Sequence, residues 1–198
     1  MSPLVEYLSP NWNQIYTMLL ELSEKIKKSN FKPDVILGVA RGGWVVGRIM
    51  SDLLSNKHTA NLKIEFYTDI AKTAKTPKIT QPVSTDVMDK RVLVCDDVSD
   101  TGKSLAVAVE YLKEKATKEI KVACLHKKSW SIFTPDFYIA DTDDWIIYPW
   151  EVKETIDKIV KRMKEEGKSN LEIIEELNKT GIDPPVLEYF IKNLALEK

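Results

Sequence analysis

The stretch Val92-Leu93-Val94-Cys95-Asp96-Asp97-Val98-Ser99-Asp100-Thr101-Gly102-Lys103-Ser104 carries the residues whose types and spacing could do chemistry. Four apolar residues read as a buried strand, two carboxylates end it, and a short run of hydroxyls and backbone amides then opens a helix. Gly102-Lys103-Ser104 matches the close of a nucleotide-binding P-loop, but the first glycine of that pattern would fall at position 97, where the chain has aspartate. A carboxylate there repels a triphosphate. The loop and the helix dipole suit one phosphate monoester instead, to which the dipole adds roughly 0.3–2 kcal/mol beside the hydrogen bonds. The adjoining acids suit a diol, which can donate to them. Diol and phosphate side by side describe a ribose 5-phosphate.

A second turn, Val39-Ala40-Arg41-Gly42-Gly43, follows another apolar run, Asp34 to Val39. Its glycines let backbone amides approach an anion closely, and Arg41 adds charge with fork geometry. Taken alone, Arg-Gly-Gly after a strand serves equally well as a plain tight turn.

With both turns in view, the sequence resembles the type I phosphoribosyltransferases. Their signature is four apolar residues, two acids, two variable residues, Asp-Thr-Gly and, one residue on, a small hydroxyl residue. Val92 to Ser104 meets it throughout. The resemblance implies that phosphoribosyl pyrophosphate is a substrate, with Asp96 and Asp97 on the ribose hydroxyls and Asp97 beside a Mg2+ cofactor. It implies that Ser99, Asp100, Thr101, Gly102, Lys103 and Ser104 cradle the 5′-phosphate, that Asp100 is the catalytic acid or base near the purine N7, and that Ala40, Arg41, Gly42 and Gly43 receive the pyrophosphate.

Further on, Val122 to Lys127 and Trp145-Ile146-Ile147-Tyr148-Pro149-Trp150-Glu151 resemble the xanthine-guanine and hypoxanthine enzymes and their archaeal relatives. That likeness puts Lys127 on the exocyclic O6, Trp145 on the ring face and Ile146 at the far edge of the purine base. Lys128 could take the place of Lys127 by a shift of register, and Trp145 could instead be core. A donor-only lysine favours a 6-oxopurine. The long helical extension after residue 150 resembles a crenarchaeal group of adenine enzymes, so adenine and 6-oxopurine stand level at this point. The implied activity is purine salvage, with release of pyrophosphate and a nucleoside 5′-monophosphate.

The elements that must position these residues are legible around them. Ser9-Pro10 predicts the start of a first helix carrying Trp12, Ile15, Tyr16, Leu19, Leu20 and Ile26 at helical spacing. Strand, glycine turn and helix recur twice, at 34–54 and 91–112, and a further strand is predicted from Glu119 to Leu125. This alternation predicts an α/β fold, a mainly parallel sheet flanked by helices, with ligands at the carboxyl ends of the strands. Residues 67–89, rich in Lys, Thr and Pro and including Lys72, Lys75 and Lys78, read as a long loop or weak hairpin that could serve as a lid. The predicted organisation is a phosphoribosyltransferase domain over 1–150, with its base-binding segment at 126–150, and a C-terminal extension of three helices over 151–198. Gly167, the pair Ser169 and Glu172, Gly181, and Asp183-Pro184 mark the helix boundaries of that extension.

Composition bounds the rest. The chain has 198 residues, 43% of them hydrophobic and 30% charged, which is enough to bury a sizeable core. A net charge of −1 excludes a global basic field, and the extension, with nine basic and eleven acidic side chains, disfavours a DNA reader. A regulator that keeps the sugar-phosphate site and binds nucleic acid is the competing reading, and the presence of Asp100 counts against it. No apolar run approaches the ~18 residues of a membrane span, and the N-terminus lacks the form of a secretion signal, so a cytoplasmic protein with no membrane partner is expected. Cys95 and Cys124 sit in apolar runs and read as buried free thiols. His58 and His126 read as structural. Lysines far outnumber the four arginines, a weak mark of thermophile habitat. A homodimer is what the resemblance implies.

Overall fold

The computed structural model describes residues 6–68 and 75–194. The chain forms two compact units, Tyr16–Asp143 and Met1–Ile15 together with Asp144–Lys198. Among the described residues no helix is long and apolar enough to cross a membrane.

The larger unit is built on a six-stranded sheet of β2 (Val35–Ala40), β3 (Thr59–Thr68), β4 (Lys75–Gln81), β5 (Arg91–Ser99), β6 (Glu119–Lys127) and β7 (Ala140–Asp141). Their order is β4-β3-β2-β5-β6-β7, and every pairing is parallel except β3 with β4. Helix α2 (Gly42–Leu53) links β2 to β3, and α3 (Lys103–Glu114) links β5 to β6. From the parallel neighbours β2 and β5 these crossovers run toward opposite edges of the sheet, so a topological switch point lies between the two strands. Both glycine turns hang from the carboxyl ends of that strand pair.

Alternation along each strand divides the core between the two faces of the sheet. Leu37, Val39, Leu62, Val92 and Val94 pack with Leu105, Ala108 and Leu112 of α3. On the other face, α2 approaches so closely that a Cβ on Gly38 would lie 2.8 Å from Trp44 Cα. Strand β5 outlasts its predicted end at Asp96-Asp97 and continues to Ser99, because its ladder with β6 runs on through Val98 and Ser99. Of the two readings offered for 67–89, loop or weak hairpin, the hairpin is the one seen, with β4 paired antiparallel to β3 from Lys63↔Gln81 to Thr68↔Lys75. Lys72 lies outside the described residues.

Helix α1 (Trp12–Lys28) is capped by Asn11 rather than by Ser9-Pro10. Asn11 Oδ1 accepts from Gln14 N at 2.9 Å and Gln14 Oε1 accepts from Asn11 N at 2.8 Å, a reciprocal box that satisfies two orphan amides. Ser9 instead donates its hydroxyl to Thr180 O.

In the smaller unit β1 (Tyr7–Leu8) pairs with β8 (Trp145–Ile146). Helices α4 (Val152–Glu165), α5 (Asn170–Asn178) and α6 (Pro184–Leu194) enclose a core of Ile156, Ile159, Val160, Met163, Ile173, Leu177 and Leu187. Ser169 and Glu172 form the capping box foreseen for α5, and Gly167, at φ 73°, takes the left-handed conformation just beyond α4.

Candidate functional site

Why the two turns need glycine becomes apparent where they meet. A Cβ on Gly42 would overlap Asp97 Oδ2, and one on Gly43 would overlap Cys95 O and lie 2.8 Å from Asp96 Cα. The loop after β2 therefore rests directly against the acids of β5 with no side chain between them. Ala40–Arg41 is a cis peptide, and the Arg41 side chain is exposed. Four of the expected anion-binding residues and both expected ribose-binding acids are thus brought together at the switch point.

The two acids differ in setting. Asp96 Oδ1 accepts from Asp97 N at 3.0 Å, and Asp97 Oδ1 accepts from Val98 N at 2.9 Å. Burial, and then the neighbouring Asp97 charge, push the Asp96 carboxyl well above the usual carboxylate range. A cation or hydroxyl donors arriving beside this pair would relieve that repulsion.

The turn from Ser99 to Ser104 leads into α3 through Gly102, whose φ of 75° is left-handed. A Cβ there would also lie 2.6 Å from Phe133 N and 2.7 Å from Ser131 Oγ. Glycine is needed twice over, for the backbone conformation and for the close approach. Thr101 and Lys103 are exposed and Ser104 is half-buried, at the mouth of the helix, where N–H groups favour an anion. Ser99 is fully buried, and its hydroxyl donates to Phe133 O at 2.9 Å and lies 2.8 Å from Ser131 Oγ. It anchors the turn from beneath. Asp100 is exposed, and its Oδ1 accepts from Trp130 Nε1 at 3.0 Å.

At the end of β6, Lys127 Nζ forms an ion pair with Asp141 Oδ1 at 2.9 Å, which raises the ammonium pKa and keeps the charge in place. Lys128, the alternative in register, is buried, with its backbone N–H on Ser99 O at 3.0 Å and its ammonium 5.6 Å from the centroid of the Trp130 ring. Trp145 and Ile146 form β8 in the other unit. The Trp145 side chain is 41% exposed and Ile146 is buried. Cys95 and Cys124 are free and buried, and burial pushes both thiols up, away from reactivity.

Sequence reasoning missed Trp130, Ser131, Phe133 and Asp141. Only the parallel pairing Lys127↔Asp141 and the fold-back of 128–133 bring them to the site. A concavity of about 1010 Å³, lined by Asp34, Val35, His58 and Thr59 among others, lies at the amino ends of β2 and β3. It is at the wrong end of the strands for a ligand of this sheet.

Comparison with known proteins accords with this geometry. A model described as "Phosphoribosyl transferase domain" matches residues 11–167. The chain belongs to this family. Its structure is similar to that of a purine phosphoribosyltransferase from Pyrococcus horikoshii, with 40% identity and a TM-score of 0.66 over 73% of this chain and 94% of that one. It is also 27% identical to the hypoxanthine-guanine phosphoribosyltransferase of Schizosaccharomyces pombe, across 78% of this chain and 92% of that protein. Xanthine phosphoribosyltransferase 1 of Saccharomyces cerevisiae is 25% identical, across 73% of this chain and 89% of its own length.

Proposed function

We propose that this chain is a purine phosphoribosyltransferase that moves the 5-phosphoribosyl group of phosphoribosyl pyrophosphate to N9 of a 6-oxopurine such as hypoxanthine or guanine. The products are the nucleoside 5′-monophosphate and pyrophosphate. The observation that carries this reading is the contact of Gly42 with the Asp97 carboxylate, which sets an anion loop beside a diol site at one switch point.

Breaking the anomeric bond makes an oxocarbenium-like centre and expels a highly charged leaving group. Residues 40–43 receive the pyrophosphate, with Arg41 as the fork. Asp96 and Asp97 accept the ribose hydroxyls, and residues 100–104 with the mouth of α3 hold the 5′-phosphate over the anchored Ser99. Rigid capture of phosphate and diol fixes the anomeric carbon for attack by N9. Asp100 takes or returns the proton at purine N7.

A magnesium ion is held through one or two carboxylates and shares its remaining positions with substrate phosphates and water, so a cage of protein ligands is not required. The hard oxygens of Asp97, crowded by Asp96, fit that donor set, and no group of three or more potential ligands occurs among the described residues. When bound, Mg2+ neutralises charge on the leaving pyrophosphate. On the base side, the Lys127 ammonium has donors only. It donates to O6 of an oxopurine and finds no acceptor in the amino group of adenine. The names of the curated relatives support the same choice.

The test is pyrophosphate release with phosphoribosyl pyrophosphate, Mg2+ and each of adenine, hypoxanthine, guanine and xanthine. Turnover with hypoxanthine or guanine at least about fivefold above adenine is expected from that missing acceptor. A preference for adenine overturns the base assignment. No release with any purine overturns the activity itself.

A further inference from the structure

Asp100 lies on an exposed turn, where an aspartate is ordinarily free to sample several rotamers. Here its Oδ1 accepts the Trp130 indole N–H at 3.0 Å. Trp130 is itself 53% exposed, so burial of its ring does not account for its place. What does fix it is a strap, residues 128–133, fastened to the phosphate turn on either side of the indole. Lys128 N donates to Ser99 O at 3.0 Å and Ile132 N donates to Thr101 O at 3.2 Å. Between them, Ser129 N and Oγ donate to Asp143 at 3.0 and 2.9 Å, and Ser131 Oγ lies 2.8 Å from Ser99 Oγ. The two residues flanking Asp100 are therefore tied to the two ends of the strap, and the residue at its middle reaches the Asp100 side chain.

We infer that Trp130 is a positioning residue for Asp100. The inference rests on the reading of Asp100 as the group that handles the purine proton. An indole N–H is a donor only, so it neither takes nor relays that proton. It occupies one carboxylate oxygen and stops rotation of the group, leaving the second oxygen to face N7. A base that must be found in one orientation at the moment of transfer gains rate from such a restraint, and substrate affinity does not change.

The experiment replaces Trp130 by 3-benzothienylalanine, which keeps the shape of the side chain and lacks the N–H, alongside Trp130→Phe. Initial rates of pyrophosphate release are measured in the native and Asp100→Asn backgrounds. In the native background kcat falls about tenfold, with KM for both substrates held within about twofold, as loss of orientation alone requires. In Asp100→Asn the same replacement changes kcat by less than about twofold, since the oriented proton transfer is already gone. Unchanged kcat in the native background, equal losses in both backgrounds, or a rise in KM at constant kcat overturns the inference. If Asp100→Asn alone retains full turnover, the reading of Asp100 fails. If Asp100→Asn is impaired while the benzothienyl protein is not, only the positioning role fails.

Discussion

Replacing His126 by glutamine is expected to make the protein less sensitive to mild acid. The imidazole sits on β6, where His126 pairs with Val98 on one side and Ala140 on the other, and it is only 3% exposed. Burial, and then the positive charge of Lys128, hold its pKa at about 4, against about 6.5 in an unfolded chain. A depressed native pKa means that the neutral form is the folded form. The stability it confers is complete above pH ~6.5 and is lost as pH falls through about 4, because the unfolded chain then binds the proton first. The gap is worth roughly 3 kcal/mol in the limit, and about 2 kcal/mol of it is gone by pH 5. Urea midpoints of the native protein and of His126→Gln at about pH 7.5 and pH 5 should show the native protein losing about 2 kcal/mol more than the variant. Nuclear magnetic resonance titration of the imidazole should return a midpoint near 4. Equal losses in the two proteins, or a midpoint near 6.5, would refute the reasoning.

Asp100→Asn should lower kcat by about 10²–10⁴ while calorimetric affinity for phosphoribosyl pyrophosphate stays within severalfold, because only a proton-transfer group is lost. Affinity and rate falling together would point to a binding role instead. Gly42→Ala places a methyl group on Asp97 Oδ2, so the carboxylate must turn away, and affinity for phosphoribosyl pyrophosphate with Mg2+ should drop about tenfold or more while the circular dichroism spectrum is kept. Native affinity in that variant contradicts the contact. Gly102→Ala forces a side chain into a left-handed turn against Phe133 and Ser131, at a cost of at least about 1–2 kcal/mol by urea unfolding. A fully stable variant would mean that the turn relaxes freely.

Local chemistry was the most legible part of this chain. The run from Val92 to Ser104 states its strand, its acids, its turn and its helix in order, since each depends on residues a few positions apart. The capping box at Ser169 and the turn glycines 167 and 181 were equally plain, for the same reason. The start of α1 was misplaced because Asn11 and Gln14 cap each other through side chains that compete with the Ser9-Pro10 pair just before them. In the described part of 67–89 the hairpin was legible only as one of two readings, because β4 sits at the sheet edge, where Lys, Thr and Pro are tolerated without an alternating apolar pattern.

Amino-acid order by itself determined the signature turn, the alternation of strands with helices and the glycines that the turns would need, because these are properties of short segments. Tertiary structure decided that β2 and β5 are neighbours, so that Gly42 meets Asp97 across more than fifty residues of chain. It also decided that Lys127 is paired with Asp141 and that Trp130 holds Asp100. Such contacts arise from strand order and from the path of a folded-back loop, and no periodicity in the sequence encodes either one.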